Sequence, residues 1–372
     1  MKVKAGILID FGNSETRMTL LVNNKSKTIT LSNKFAALPS GYKIPQEYNN
    51  NKSSVLCVNG AFYANGALAD REFENQLIRP SAVQLKSEQL VTEISLNLVL
   101  IRALLELSIG SGISISEIDP YFNISVLLPP MEHEINIKSM EEMIRNVTSV
   151  NSYLPMEFKS SVHIEDIKIL PEGVAAFFGV CYTEKDGELV EVEANTEYTS
   201  GNVMILDIGA GTTDVVMIKD TELVLNSKET FNLGGNTVEG QLKKLIRRKF
   251  GFMPNDVSGV VETGELLDGS VTHDVSELVT EAKDMYSKML MPHIQGYLEG
   301  MMMSMREVKG ILVVGGGSLP SIKEDKVVSP AMSEVLTKYF KELSPYVAFV
   351  NTEGKNPRLL NIDGLQYIHK YA

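Results

Sequence analysis

Two stretches of the chain repeat one order of residues that could do chemistry. Residues 7 to 16 read ILIDFGNSET, and residues 205 to 214 read ILDIGAGTTD. In each, an apolar run ends in Asp-x-Gly and continues into small and hydroxyl-bearing residues. The glycine permits a tight turn, and the backbone N–H groups that follow form a concavity suited to phosphate oxygens. Asp10 and Asp207 would repel a phosphate directly, but each could hold a hydrated Mg2+ whose waters bridge carboxylate to phosphate. Gly12, Asn13 and Ser14 in one copy, and Gly209, Ala210, Gly211 and Thr212 in the other, are the matching phosphate-binding candidates. Either turn alone would suit an ordinary β-hairpin. Thr16 and Thr213, however, stand at equal offsets, and two such hairpins facing each other would grip a nucleoside triphosphate from both sides.

A third glycine-rich stretch, VVGGGSLP (residues 313 to 320), follows an apolar strand. Gly315, Gly316, Gly317 and Ser318 would let a planar ring or a sugar approach the backbone closely, so this is the candidate adenosine loop. Its alternative is a close-packed strand-to-helix turn. Gly234-Gly235-Asn236 opens a helix, which makes Gly235 and Asn236 candidates for the ribose. Lys283 could reach the base or ribose, although a solvated helix lysine is the ordinary reading. The five histidines show no metal-ligand spacing with one another, with cysteine or with carboxylates.

The elements that must position these residues occur twice. Strands are expected at Val3 to Asp10, Thr16 to Val22 and Lys27 to Leu31. They recur at Val203 to Asp207, Thr213 to Ile218 and Leu223 to Lys228. The first set is followed by a loop or small subdomain around LPSGYKIPQEYNNNKSS, an apolar helix near 87 to 108, a strand at Phe122 to Leu128 and a helix near 137 to 149. The second is followed by a helix after Gly235, a variable stretch at 251 to 273, a helix from about Val275 that is kinked or ended by Pro292, and a strand at Gly310 to Val314. This is an internal duplication. The acidic segment from Glu184 to Gly201 reads as an exposed hairpin or loop, and the MMMSM cluster (301 to 305) as adaptable core packing.

A chain of 372 residues exceeds one ordinary core, and 44% hydrophobic with 22% charged residues is average for a globular protein. The apolar helix is interrupted by Glu93, Arg102 and Glu106, so it reads as buried core and not as a membrane span. The N-terminus lacks a cleavage pattern, and two cysteines make no disulfide framework; a cytoplasmic location is expected. A net charge of −12 argues against direct DNA binding, which relies on cations neutralising phosphates. The one basic run, KKLIRRKFG (243 to 251), reads first as a solvated helix face.

Five landmarks together resemble the superfamily of actin, the heat-shock chaperone ATPases and the sugar kinases. They are IDFGNSETR and LDIGAGTTD as phosphate loops, ILPEGVAAF as the first connection between domains, VVGGGSLP as the adenosine loop and LLNIDGLQYI as the second connection. The Pro-Glu-Gly start of the first connection, the GGGSLP loop and the closing Asn-x-x-Gly are similar to plasmid-segregation actins of the ParM type. The resemblance implies an α/β, actin-like fold of duplicated ribonuclease-H-like domains flanking a nucleotide cleft, each with a small inserted subdomain. Domain I would take residues 1–178 and 358–372, with an insertion at about 32–85. Domain II would take 179–357, with an insertion at about 238–273.

Carried onto this chain, the resemblance makes Glu172 the residue that positions the attacking water, with Asp214 a weaker second candidate. Phosphoryl transfer needs such alignment more than a strong base. Asp10 and Asp207 would orient Mg2+ through water, and Arg17 stands where actin has a phosphate-contacting lysine. The implied activity is an ATPase, with GTP left open as a substrate, that polymerises head to tail into helical filaments and depolymerises after hydrolysis. A hinge motion would close the domains on nucleotide, and a separate DNA-binding adaptor would link filament to plasmid. No membrane partner is expected. The alternatives are a monomeric small-molecule kinase and a nucleotide-switch ATPase.

Overall fold

A computed structural model of the chain describes every residue except Asn24, Asn51, Ala82, Val83, Glu353 and Ala372. These fall within the expected domain spans, and Asn51, Ala82 and Val83 within the expected first insertion; they lie outside the described residues. Contacts divide the chain into two units, Met1–Pro171 and Glu172–Ala372.

The first unit runs β1 (Lys2–Phe11), β2 (Glu15–Val22), β3 (Lys25–Ser32), β4 (Phe35–Ala37), β5 (Ser53–Val58), β6 (Ala61–Gly66) and α1 (Ala67–Glu72). It continues with α2 (Leu90–Ser111), β7 (Asp119–Leu128), α3 (Pro130–Arg145), β8 (Ser149–Leu154), β9 (Phe158–Ser161) and β10 (His163–Pro171). Its main sheet has the order β10-β7-β1-β2-β3, with β7 parallel to both β1 and β10. A second, antiparallel sheet has the order β4-β6-β5-β8-β9. The insertion is therefore not a contiguous segment, because residues 149 to 161 complete its sheet. The helix expected near 137 to 149 lies earlier, at α3. Pro130 suits its first turn, where a missing N–H costs nothing.

Helix α2 is buried on nearly all sides within the core that both sheets share. The three charges that interrupt it each find a partner. Glu93 accepts from Asn59 Nδ2 at 2.8 Å, Arg102 donates to Ser54 Oγ at 3.0 Å, and Glu106 pairs with Lys27. That pairing lets a helix with three ionic groups serve as core.

The second unit begins with α4 (Val174–Cys181), β11 (Tyr182–Lys185), β12 (Glu188–Glu191), β13 (Asn202–Ile208), β14 (Thr213–Lys219), β15 (Glu222–Leu223) and β16 (Glu229–Phe231). Then come α5 (Gly235–Phe250), α6 (Ser258–Thr263), β17 (Glu265–Asp268), β18 (Val271–Asp274) and α7 (Ser276–Gly300). It ends with β19 (Val308–Val314), β20 (Ser321–Lys323), β21 (Lys326–Ser329), α8 (Met332–Leu343), β22 (Ala348–Phe349) and α9 (Leu360–Tyr371). The sheet order is β15-β14-β13-β19-β22, with β16 beside β14. Its β13–β14 hairpin repeats β1–β2, and β19 lies parallel to β13 as β7 does to β1. One face packs under α5, α7 and α8; α4 and α9 cover the other.

Several expectations change here. The strand expected at Leu223 to Lys228 shrinks to the two residues of β15, because the chain turns through Asn226 at a positive φ of 59°. Helix α7 continues through Pro292. Within the methionine cluster Met305 is buried, but Met302 is 94% exposed at a φ of 54°. The connecting helices α4 and α9, expected with the first domain, pack on the second unit's sheet. None of the described helices is long and apolar enough to cross a membrane.

Candidate functional site

In the first unit, β1 delivers Asp10 to a tight turn and β2 carries the chain back, with Asp10 facing Arg17 across the hairpin. A side chain at Gly12 would stand 2.7 Å from the Glu15 carbonyl, so the turn admits only glycine there. The turn is held from beneath by Asn33, which is 2% exposed. Its backbone N–H donates to Ser14 O at 3.1 Å, and its Nδ2 donates to Gly12 O. Its Oδ1 accepts from Thr16 Oγ1 at 2.6 Å and Ser95 Oγ at 2.9 Å. Asn33 thus converts the loop carbonyls into satisfied acceptors and leaves the backbone N–H groups of Asn13 and Ser14 with no protein acceptor among the described residues.

Arg17 is directed differently from the sequence expectation. Its guanidinium donates to Asp10 Oδ2 at 3.2 Å and to Glu15 Oε2 at 3.4 Å, in largely buried surroundings. It therefore orients Asp10 and balances its charge.

In the second unit, β13 delivers Asp207 to the equivalent turn. Gly209 N–H donates to Thr212 O at 2.9 Å, and the N–H groups of Ala210 and Gly211 meet no protein acceptor among the described residues. The loop carbonyls are again satisfied from below. Gly235 N–H donates to Gly209 O at 2.9 Å and Asn236 N–H to Ala210 O at 2.7 Å. The first-turn N–H groups of Gly235 and Asn236 are thus spent on buttressing the 209–212 loop and are not free to meet a ribose. A side chain at Gly234 would meet Ala210 O, Gly211 C and Thr212 N, each at 2.7 Å, so only glycine permits this contact. Asp214 accepts from Thr230 Oγ1 at 2.5 Å and Thr212 Oγ1 at 3.4 Å, a loop-holding role. Thr213 Oγ1 donates to Leu233 O at 2.7 Å and lies 2.6 Å from the Tyr286 hydroxyl.

Glu172 stands one residue before the positive-φ Gly173 that opens α4, and it is buried. Asn361, at the start of α9, bridges this turn to the Asp207 carboxylate. Its Oδ1 accepts from Gly173 N–H at 3.1 Å, and its Nδ2 donates to Asp207 Oδ2 at 2.6 Å. The helices cross backbone to backbone. A side chain at Gly179 would stand 2.4 Å from Leu360 O, and one at Gly364 would stand 1.6 Å from Ala175 O. The closing Asn-x-x-Gly thus has two jobs: Asn361 ties the site, and Gly364 allows the crossing.

The Gly315–Ser318 loop packs against the turn that Asp207 and Ile208 lead into. A Cβ at Gly315, whose φ is 86°, would lie 2.4 Å from Asp207 Oδ1, and one at Gly317 would lie 2.6 Å from Ile208 Cγ2. Gly316 is exposed, beside the Arg358 guanidinium. Ser318 Oγ donates to Gly315 O at 2.7 Å, which uses it within the loop. The end of the loop is held by Lys283. That lysine is 1% exposed, not solvated, and donates to Pro330 O at 2.7 Å, Leu319 O at 3.1 Å and Ser321 Oγ at 3.5 Å. Burial lowers its pKa from 10.5 to about 8.

The second unit therefore assembles Glu172, Asp207, the 209–212 loop and the 315–318 loop into one cluster, while the first presents Asp10 to Ser14 as a self-contained hairpin. The donor sets fit a polyphosphate: glycine-built loops with free, adjacent N–H groups, and a buried carboxylate at the head of each.

Residues 205–324 match the family model of the archaeal actin homologue MreB-like C-terminal domain. No curated protein matches the chain by sequence. Among solved structures, the archaeal actin homologue Ta0583 is 17% identical, covers 99% of this chain and 100% of its own, and superposes with a TM-score of 0.69. Bacillus thuringiensis ParM with ATP is 16% identical, with 98% of each chain covered and a TM-score of 0.62. A non-polymerisable quadruple mutant of pCBH ParM is 17% identical, with 99% and 100% covered and a TM-score of 0.61. These likenesses span 98–99% of the chain and bear out the actin-like fold that the five landmarks implied.

Proposed function

Taking as premise that the chain has the actin fold, we propose that it is an ATPase whose nucleotide state drives its own assembly into filaments. The observation that carries this is the duplicated hairpin: two buried aspartates, each heading a loop whose carbonyls are tied down and whose N–H groups are free. Ta0583 has been crystallised with ADP and Bacillus thuringiensis ParM with ATP, which supports the same ligand class here.

The free backbone N–H groups of Asn13 and Ser14 in one hairpin, and those of Ala210 and Gly211 in the other, are each suited to donate to phosphate oxygens. Asp10 and Asp207 are the carboxylates that would hold Mg2+ through water, and the ion would supply charge neutralisation to the leaving diphosphate. Glu172 accepts a hydrogen bond from the attacking water and aligns it on the γ-phosphorus, while the bond from that phosphorus to the bridging oxygen breaks. Asn361 keeps the Glu172 turn in register with Asp207. Arg17 acts through Asp10. ATP binding favours head-to-tail association and hydrolysis weakens it. In the cytoplasm such filaments would separate plasmid copies through a DNA-binding adaptor, consistent with the chain's own acidity. The mutant pCBH ParM, described as non-polymerisable, supports assembly as the property to test.

Light scattering and phosphate release, followed together during a protein titration with Mg-ATP, test the proposal. Scattering should appear only above a critical concentration and decay as ATP is consumed. Turnover per molecule that is independent of protein concentration, without scattering, would remove the polymer and leave a kinase or switch.

A further inference from the structure

The second unit carries opposite charge at its two ends. Strands β13 and β19 start at Asn202 and Val308 and finish at the phosphate loop and Gly315. Helix α5 begins at that finishing end, where Gly235 and Asn236 donate to Gly209 and Ala210, and its 16 residues extend for about 24 Å. Its direction is fixed by antiparallel packing on α7, since Gln241 meets Met289 and Arg248 meets Glu281. Tyr286, between those two positions, sits against Thr213 beside the phosphate loop. The last turns of α5 therefore lie beyond the phosphate loop, away from the strand starts. There Lys244, Arg247, Arg248 and Lys249 are exposed. Arg248 pairs with Glu281 at 3.1 Å, and the other three enter no ion pair among the described residues. Exposed Leu267 and Val271 of the β17–β18 hairpin adjoin this end, where the Phe250 and His273 rings lie 4.9 Å apart.

Helix α4 leads the other way. It starts at the Gly173–Asn361–Asp207 bridge and ends at Cys181, whose carbonyl receives Val192 N–H at 2.8 Å. Tyr198, just after, packs on Gly310, which pairs with Val203 near the strand starts. The β11–β12 hairpin and the turn after it hang from this end. Asp186, Glu188, Glu191, Glu193 and Glu197 are all exposed there and enter no ion pair among the described residues. Glu184 is already paired with Lys370 at 2.7 Å, and Lys185 is the one cation between residues 184 and 197.

We infer that these are the two halves of one subunit contact: the basic end of α5 on one copy docks on the acidic β11–β12 hairpin of a second copy. This rests on the self-assembly reading above. Two complementary faces at opposite ends of one unit make a heterologous contact that repeats in one direction and forms an open chain. A chain of net charge −12 repels its copies at long range, so a local cationic face opposite a carboxylate cluster fixes both register and polarity. A nucleic acid is the poorer occupant, because three unpaired cations release few counterions against that net charge.

The test uses two charge-reversed full-length chains. One carries Lys244→Glu, Arg247→Glu and Lys249→Glu; the other carries Glu188→Lys, Glu191→Lys and Glu193→Lys. Each alone should bind a fluorescent ATP analogue like the parent, yet need about tenfold more protein, or beyond, before Mg-ATP produces sedimenting polymer. An equimolar mixture should assemble near the parental concentration, because each interface then pairs opposite charges again. Assembly of either variant at the parental concentration, or a mixture that stays unassembled, would overturn the contact. So would a basic-face variant that assembles normally but loses binding to a short duplex DNA. A parent chain that never sediments with Mg-ATP would instead refute self-assembly itself, and the contact with it.

Discussion

Replacing Asn361 by alanine removes two hydrogen bonds at once and tests whether the tie between Glu172 and Asp207 matters to catalysis. The 2.6 Å bond to a buried carboxylate is of the charged kind, contributing about 1.5–3 kcal/mol, and the orphaned Gly173 N–H adds about 1 kcal/mol more. The second unit should therefore lose about 3 kcal/mol of stability, read as a lower denaturant midpoint. The N–H groups proposed to bind phosphate belong to loop residues that Asn361 does not touch, so ATP affinity should change by less than about fivefold. Hydrolysis should fall by about a hundredfold, since a displacement of about 1 Å in a positioning group costs that much. Asn361→Asp sharpens the test. It keeps an acceptor for Gly173 but sets a second carboxylate against Asp207, and two like charges in contact raise one pKa. Its hydrolysis should then recover relative to the alanine variant as pH falls, when the protonated Asp can donate as Asn does. An alanine variant that loses stability but hydrolyses ATP at the parental rate would reduce Asn361 to a structural tie and refute the positioning argument.

Other predictions bear on separate parts. Glu172→Ala should leave ATP binding nearly intact while slowing phosphate release and lengthening polymer lifetime; unchanged release in a single-turnover assay would take Glu172 out of the reaction. Lys283 has a folded pKa of about 8, below its usual 10.5, so the unfolded chain binds more protons across that window and stability should rise with pH through it, by up to about 3 kcal/mol. Lys283→Met should lack that rise when denaturant midpoints are compared with the parent's from pH 8 upward. Gly364→Ala places a Cβ 1.6 Å from a backbone carbonyl and should lower the melting temperature sharply or prevent folding. Gly240→Ala, in the interior of α5 with nothing within 4 Å, should instead stabilise by about 0.5–1 kcal/mol.

The parts that were legible in sequence are those whose cause is local. An apolar run into Asp-x-Gly announces a strand and a tight turn, and doing so twice announces a duplication; β1–β2 and β13–β14 follow within a residue or two. The apolar helix α2 was readable as core because its length and composition need no partner to interpret. Asn33 was not readable, because a lone asparagine after a strand carries no signal until Gly12, Thr16 and Ser95 come to meet it. Arg17 was assigned to phosphate by analogy of position, yet the register of β1 against β2 sets it opposite Asp10. Lys283 looked like a solvated lysine because helix periodicity says nothing about the carbonyls of Leu319 and Pro330. Residues 149–161 were missed as strands because short, mixed-polarity segments declare themselves only by the sheet they complete.

The crossing of α4 and α9 has a mechanical consequence. Where Gly179 and Gly364 bring two backbones together, no side-chain layer lies between the helices to be compressed or repacked. Neither helix can turn about its own axis without driving a bulkier residue into its neighbour's carbonyls. The pair is thus stiff by hard-core repulsion, and a displacement imposed at Glu172 or Asn361 must carry both helices together as a single lever.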